Sequence, residues 1–407
     1  MATMSNHKQI VIVGGGFGGV RCALDLAARS LPDTVITLVS DKPHFEYMPT
    51  LYRVATGRSP ICACIRLDEI FSGTNVRVVH DTITRIDSRS RELHGNEGAR
   101  YHYDMAVLAL GSNPAYFGIP GLEATFTLTS VRDALVLKDH LHSLFATCEA
   151  APKSEQECAA HIVIVGAGPT GVELAGEFAT YMRTIAAKHR VDPSRIAIEV
   201  VEAAPRILPM VPEEVSAKVA RYMQKKGVQL FTGLAVKAKD ADGIHVEGRH
   251  MKTRTVIWTA GTKPHYLYTT LTDASRDARG RIVVDAHLQA IGCAGLYVIG
   301  DGASTPYAGL AQAAVYDGSF VARVIAATIK GDGRVPDYAP RPVSYAIPAG
   351  PAWAAAVIGS LKVYGRLGWI IRRIADFRFF ASILPLHKAF TVMRASGMRT
   401  ESCVICK

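Results

Sequence analysis

The chain has 407 residues, 49% of them hydrophobic and 20% charged, with eight cysteines. That is an ordinary folded composition with room for two or three domains, and it excludes both a disulfide scaffold and a disordered chain. The net charge of +10 is localised: residues 341–407 hold ten Lys/Arg against Asp376 and Glu401, leaving +2 for the first 340 residues and excluding a nucleic-acid binder that is basic along its length.

The first strand begins near Gln9, so no signal or transit peptide is expected ahead of it and cytoplasmic residence is. Ile10 to Val20 reads IVIVGGGFGGV, and 152 positions later Ile162 to Val172 reads IVIVGAGPTGV, identical at eight of eleven places. Each copy is a β-branched run that ends in Gly-x-Gly-x-x-Gly and flows into a helical pattern. Its first glycine makes a tight turn, the second admits a pyrophosphate close to backbone, and the third lets helix pack on strand. Gly14, Gly16 and Gly19, with Phe17 and Gly18 between, form the first turn; Gly166, Gly168 and Gly171, with Pro169 and Thr170, form the second. One such motif is weak evidence. Two, each between a strand and a helix, imply two dinucleotides in one chain.

Val20 to Ala28 reads as helix and Thr34 to Val39 as a buried strand ending Ser40-Asp41-Lys42. Asp41, with Lys42 beside it, is the candidate ribose acceptor, the alternative being a simple turn start. Val76 to Val79 and Ile83 to Asp87 follow as paired strands. Tyr103 to Leu110 is a buried strand closing at Ala109-Leu110-Gly111-Ser112, and Pro114, Gly118, Pro120 and Gly121 mark a domain boundary. Ser130 to Thr147 is helical, and residues 150–160 read as a polar linker into the second motif.

Glu173 lies in the first turn of the second motif's helix, where the macrodipole stabilises a carboxylate. The next strand, Ile196 to Val201, ends in Glu202. A carboxylate there accepts from a ribose 2′-hydroxyl and repels a 2′-phosphate, which favours NADH over NADPH, with nearby Arg206 acting the other way. Thr255 to Gly261 repeats the small-residue ending of Leu108 to Ser112. Leu296 to Gly302 is a buried strand ending Gly300-Asp301, and Leu310 to Gly318 opens a helix.

The tail offers no run of about 18 uncharged apolar residues, so no membrane span is expected. Leu367, Ile370, Ile374, Phe377, Ala381 and Leu384 recur at helical spacing, with Arg373 and Arg378 expected to flank the stripe and Arg372 to oppose it. Such a basic, aromatic-bearing helix suits an anionic membrane surface, or else a dimer or core contact.

The segment from His44 to Gly57, HFEYMPTLYRVATG, together with both glycine motifs and the Gly300-Asp301 strand, resembles the type II NADH:quinone oxidoreductases over about residues 8–330, and more loosely in the tail. The resemblance implies a tightly but non-covalently held FAD, with NADH as co-substrate. It places Pro49 and Thr50 near the flavin ring, the Ile83 backbone against adenine, Ala109 and Gly111 at a domain crossover echoed by Gly261, and Asp301 on the ribityl chain. Glu173 would orient the nicotinamide or serve a proton route to quinone. Ala311 and Gln312 match the family's quinone-lining motif, whereas Tyr316 stands in place of its second Gln and Met48 in place of another. Flavoprotein disulfide reductases carry a redox cysteine within the stretch corresponding to residues 41–60, which has none.

The fold expected is α/β, with two Rossmann-like three-layer nucleotide-binding domains, one inserted in the other, and a C-terminal amphipathic membrane-associating region. The expected divisions are 1–118 and 266–338 for FAD, 119–265 for NADH, and 339–407 for the tail. The expected activity is hydride transfer from NADH to FAD and then two electrons to a membrane quinone, without proton pumping. The partners expected are the quinone, an anionic lipid surface met through residues 366–394, and a second copy in a homodimer, with no nucleic acid and no metal. The location is peripheral, on the cytoplasmic face of the cell membrane. Two alternatives stand beside this: a slow redox sensor of apoptosis-inducing-factor type, and sulfide:quinone oxidoreduction, for which Cys158 is the candidate thiol. Cys403-x-x-Cys406 is a weaker candidate redox or zinc pair.

Overall fold

The two β-branched runs are too apolar to lie at a sheet edge, and each becomes an inner strand of a parallel sheet. The computed structural model describes residues 7–150, 161–332 and 335–398. Along the chain the principal elements are β1 (Lys8–Val13), α1 (Phe17–Ala27), β2 (Thr34–Ser40), α2 (Leu51–Ala55), β3 (Val76–His80), β4 (Met105–Leu108) and α3 (Val131–Ala150). Then come β5 (His161–Val165), α4 (Pro169–Lys188), β6 (Ala197–Glu202), α5 (Glu213–Lys225), β7 (Val228–Thr232), β8 (Val236–Lys239), β9 (Gly243–Val246), β10 (Arg249–Lys252) and β11 (Thr255–Trp258). The chain finishes with β12 (Leu296–Val298), α6 (Ala311–Lys330), β13 (Tyr345–Pro348), β14 (Ala354–Ile358), β15 (Leu361–Tyr364), α7 (Gly365–Ile383) and α8 (Leu386–Ala395).

The chain separates into two compact units. The first comprises Met1–Glu46, Ile65–Asn113 and Thr262–Val343, the second Tyr47–Cys64, Pro114–Gly261 and Ser344–Lys407. Residues 47–64 and the C-terminal region thus group with the inserted segment, a different division from the one chain order suggests. The physical reason is local. Residues of α2 share one buried cluster with α3 and α4, the Ser59 amide donates to the Met398 carbonyl at 2.9 Å, and Arg58 donates to the Gly397 carbonyl at 2.9 Å.

In the first unit five parallel strands run in the order β12-β4-β1-β2-β3. Helices α1 and α6 lie against each other closely enough that a Cβ on Gly318 would stand 2.4 Å from the Gly18 carbonyl. In the second unit four parallel strands run β7-β6-β5-β11. An antiparallel sheet β8-β9-β10 packs Ile244, Val246 and Met251 with Val163, Val165 and Trp258 in one core. A second antiparallel sheet, β13-β14-β15, precedes α7.

The sequence repeat is also a structural one. Val13 pairs with Val39 and Leu108, and Val165 with Val201 and Trp258. Gly14 donates its N–H to the Val39 carbonyl at 2.8 Å, as Gly166 does to Val201 at 2.7 Å. Ala109 donates to Val13 and Thr259 to Val165, both at 2.8 Å. Among the described residues no helix is long and apolar enough to cross a membrane.

Candidate active site

Both glycine turns are built so that side chains are excluded and a ligand is admitted. Gly14 has φ +111 and Gly166 φ +101, left-handed values that disfavour L side chains. A Cβ on Gly19 would lie 1.9 Å from the Gly14 carbonyl, and one on Gly171 would lie 1.9 Å from the Gly166 carbonyl. These third glycines are therefore fixed by helix-on-turn packing. The middle glycines differ: nothing lies within 4 Å of a Cβ on Gly16 or Gly168, each of which begins a helix with no side-chain cap. Space beside an uncapped helix start fits a pyrophosphate. Phe17 and Gly18, and Pro169 and Thr170, occupy the first positions of α1 and α4.

The surroundings of the two turns diverge. In the first unit Ser40 is buried, its Oγ 2.7 Å from where a Cβ on Gly15 would be, while Asp41 is exposed. Lys42 pairs with Glu46 at 2.5 Å. Ile83 packs in the core, and Gly111 takes φ +67 in open space. Asp301 follows Gly300, itself at φ +67, and accepts the Ser112 hydroxyl at 2.6 Å. Asp317, which sequence reasoning left unassigned, is fully buried on α6. It accepts the Gly300 amide at 3.0 Å and the Tyr338 hydroxyl at 2.6 Å, and burial pushes its carboxyl up. The only acid in α6, set among Ala313, Ala314, Gly318 and Phe320, was the available signal. Ala311 and exposed Gln312 open α6. Tyr316 is half-buried, with the Tyr338 ring at 5.7 Å and the Arg341 guanidinium 4.5 Å from its ring centre.

In the second unit the Glu202 carboxylate accepts the amides of Ala167 at 2.7 Å and Ala204 at 2.9 Å, which fixes it beside the glycine turn. Arg206, which could have drawn a 2′-phosphate, instead donates to the carbonyls of Leu208 and Pro209 at 3.0 and 2.8 Å. At Gly261 a Cβ would meet the Phe117 ring at 2.7 Å.

Glu173 is buried, and Arg372 donates to it at 2.8 Å. The same guanidinium donates to Asp376 at 2.9 Å, to the Ala346 carbonyl at 2.9 Å and to the Pro49 carbonyl. Tyr47 donates its hydroxyl to Asp376 at 2.9 Å, and its ring stacks on Phe379 at 5.0 Å. One buried cation thus serves two carboxylates. Burial raises Glu173 to about 7 and outweighs the attraction of Arg372, with Asp376 adding to the rise. Burial disfavours the charge on Arg372, but the two carboxylates outweigh it and hold its pKa above the ordinary value. Burial and Asp376 likewise hold the Tyr47 phenol neutral. Thr50 is buried and donates its hydroxyl to Tyr47 and Cys62 carbonyls at 3.1 and 3.2 Å, so that group serves its own loop.

On α7 the expected stripe faces outward at Leu367, Ile370 and Ile374, and the departures are at Arg373 and Leu384. Arg372 does oppose the apolar stripe, but as a buried ion-pair partner. Arg373, expected to flank the stripe at the surface, donates to Ser396 at 2.5 Å and to the Met393 carbonyl at 3.2 Å and is mostly covered. Leu384 is buried. Leu367, Ile370 and Ile374 are 66%, 45% and 61% exposed, joined by exposed Leu386 and Phe390 on α8.

Cys22, Cys62, Cys64 and Cys293 are buried, and burial raises the Cys62 thiol to about 11, far from a reactive thiolate. Cys158, Cys403 and Cys406 lie outside the described residues.

Residues 8–318 match the family described as pyridine nucleotide-disulphide oxidoreductase. The chain is 30% identical over 397 residues to the type II NADH:quinone oxidoreductase Ndh of Mycobacterium tuberculosis, covering 90% of this chain and 82% of that protein. It is 29% identical over 342 residues to a type II NADH:quinone oxidoreductase of Staphylococcus aureus, covering 80% and 84%. The solved structure of NDH2 from Plasmodium falciparum in complex with NADH is similar in fold, with a TM-score of 0.86 at 16% identity, covering 98% of this chain and 100% of that one.

Proposed function

We propose that this chain, which belongs to the pyridine nucleotide-disulphide oxidoreductases and among them to the type II NADH:quinone oxidoreductases, oxidises NADH and reduces a quinone through bound FAD. The observation that carries the reading is the strand–glycine turn–helix unit, duplicated down to its hydrogen bonds. Two such turns suit one dinucleotide kept as prosthetic group and another exchanged as substrate. When bound, FAD accepts hydride from NADH and passes two electrons to quinone, so the protein's task is position and electrostatics.

The first turn, with Asp41, Lys42, Ile83, Ala109, Gly111 and Asp301, is assigned to FAD. The second, with Glu202 and Gly261, is assigned to NADH. Pro49 and Thr50 are assigned to the flavin's neighbourhood, and Ala311, Gln312 and Tyr316 to the quinone. Glu202 accepts ribose hydroxyls, and with Arg206 occupied elsewhere NADH is preferred over NADPH. Glu173, poised near neutrality, takes up and releases a proton on its Oε atoms while Arg372 stays charged and keeps the carboxyl in place. The exposed apolar face of α7 and α8, with Arg366, Arg378 and Arg394 exposed beside it, lies in the headgroup region of the cytoplasmic leaflet.

Anaerobic NADH is expected to bleach the yellow protein, and quinone to restore the colour within the turnover time. A colourless protein that binds no flavin refutes the proposal. A bleached state that persists after quinone is added points instead to a sensor.

A further inference from the structure

We propose that Asp240, His245 and His250 form a binding site for a divalent d-block cation, with zinc as the natural probe. All three lie in the second unit, on the β8-β9-β10 meander. In the antiparallel pairing of β9 with β10, His245 stands directly opposite His250, so both side chains leave the same face of the sheet. That face is the outer one, since the neighbours Ile244 and Met251 point into the core. The two imidazoles stack with centroids 4.2 Å apart and planes within 12°.

Both Nε2 atoms address a single carboxylate. His245 Nε2 hydrogen-bonds Asp240 Oδ2, and His250 Nε2 lies 3.7 Å from Oδ1. The carboxylate is itself held by the backbone, Oδ1 accepting the amides of Asp242 and Gly243 at 2.9 Å each. Lys239 donates to the Asp240 carbonyl at 3.1 Å and leaves the carboxylate to the histidines. The three ligand atoms lie within 4.8 Å of one another. Around zinc, with bonds of about 2.0–2.1 Å, ligand atoms stand roughly 3.3 Å apart, so modest side-chain rotation closes the set.

The chemistry of the set selects the ion. Two imidazoles and one carboxylate suit zinc, nickel or copper, whereas magnesium and calcium want oxygen. A cation at the convergence takes the place of the hydrogen between His245 Nε2 and Asp240 Oδ2, and a neutral imidazole that ligates through Nε2 carries its one proton on Nδ1. The side chains of Asp240, His245 and His250 are 46%, 43% and 30% exposed, leaving room for a water as fourth ligand. Bound metal would tie the β8–β9 turn to β10 and brace the sheet that covers the Val163–Val165–Trp258 core. None of the residues assigned to FAD, NADH or quinone belongs to this cluster.

The test is zinc titration of the full-length flavoprotein against a competing chromophoric chelator, in wild type, His250→Ala and the nearly isosteric Asp240→Asn. Comparing proteins that all retain Cys403 and Cys406 removes any contribution from that pair. Wild type is expected to hold one more equivalent of zinc than His250→Ala and to bind it at least about tenfold more tightly than Asp240→Asn. Cobalt should give visible d–d bands in wild type that His250→Ala lacks. Equal zinc stoichiometry and affinity in all three folded proteins, or cobalt bands unchanged by His250→Ala, overturns the proposal.

Discussion

Replacing Arg372 with Met tests the buried charge network most directly. The guanidinium is covered, and it donates to Glu173, Asp376 and the carbonyls of Ala346 and Pro49. Met fills similar volume but satisfies none of these acceptors. Asp376 keeps a second partner, Arg373 at 3.5 Å, so the group left worst off is Glu173. Breaking a buried ion pair from one side costs about 3–5 kcal/mol, because the remaining charge is neither solvated nor paired. The cost should depend on pH. Glu173 titrates near 7 in the intact protein, so at pH 6 it is largely protonated and needs the cation less than at pH 8. Adding Glu173→Gln removes the stranded charge and should recover roughly 0.5–3 kcal/mol, the usual size of coupling between contacting groups. Urea unfolding at pH 6 and pH 8 for the two single variants and the double variant measures the full cycle. A loss below about 1 kcal/mol, or a double variant no more stable than Arg372→Met, would refute the network as described.

Glu173→Gln alone carries a separate prediction of defined sign. The folded pKa of about 7 lies above the ordinary 4.5, so stability is greatest below 4.5 and falls as pH rises to 7, by roughly 3 kcal/mol; the Gln variant should lose this slope in unfolding experiments, and an unchanged slope assigns it to other groups. The glycine variants should separate the two nucleotide sites. Gly19→Ala and Gly171→Ala each force a methyl to within 1.9 Å of a carbonyl; the first is expected to yield protein without flavin absorbance, and the second a yellow protein that NADH bleaches far more slowly, with equal flavin loss in both counting against the assignment. On the tail, Leu367, Ile370 and Ile374 replaced together by Ser should weaken partition onto anionic vesicles at least about tenfold, since burying such a side chain is worth about 1.5–3 kcal/mol and each is roughly half exposed. Activity with a soluble quinone should persist, and unchanged vesicle binding would refute the membrane role of this face.

Much of the fold was readable because it is local and repeated. A β-branched run into Gly-x-Gly-x-x-Gly specifies strand, turn and helix within about 20 residues. The second copy, the small-residue strand ends and the Gly300-Asp301 strand then supply the remaining sheet neighbours. The surroundings of the second glycine turn were legible from its own segment, because Glu202 ends the adjacent strand and is held beside the turn by two amides. The charge network was not legible. Arg372 meets Glu173 across 199 residues of sequence, and Asp376 meets Tyr47 across 329. An arginine in a basic tail looks like any other surface cation. What sets it apart in the sequence is Asp376, the only acid between residues 341 and 398, one helical turn after Arg372. Periodicity located the apolar stripe but could not say whether it faced core or solvent.

That ambiguity is where the tail's role turns. A helix on a soluble protein surface normally buries its apolar face and exposes its charges. On α7 the arrangement is partly reversed: Arg372 and Asp376 are buried together with Phe380 and Ile383, while Leu367, Ile370 and Ile374 face outward. Water as the only solvent on that side would make both faces unfavourable at once. The reversal is reconciled if the buried pair is kept for what it holds inward and the outer face meets a surface that is itself apolar. The inward face holds Glu173 through Arg372, and the outward face presents the side chains a bilayer would take up. A single helix would then hold buried Glu173 on one side and, on the other, present the face proposed to meet a membrane. On that account the serine substitutions should leave the pH dependence contributed by Glu173 intact, whereas Arg372→Met should alter it without changing vesicle binding.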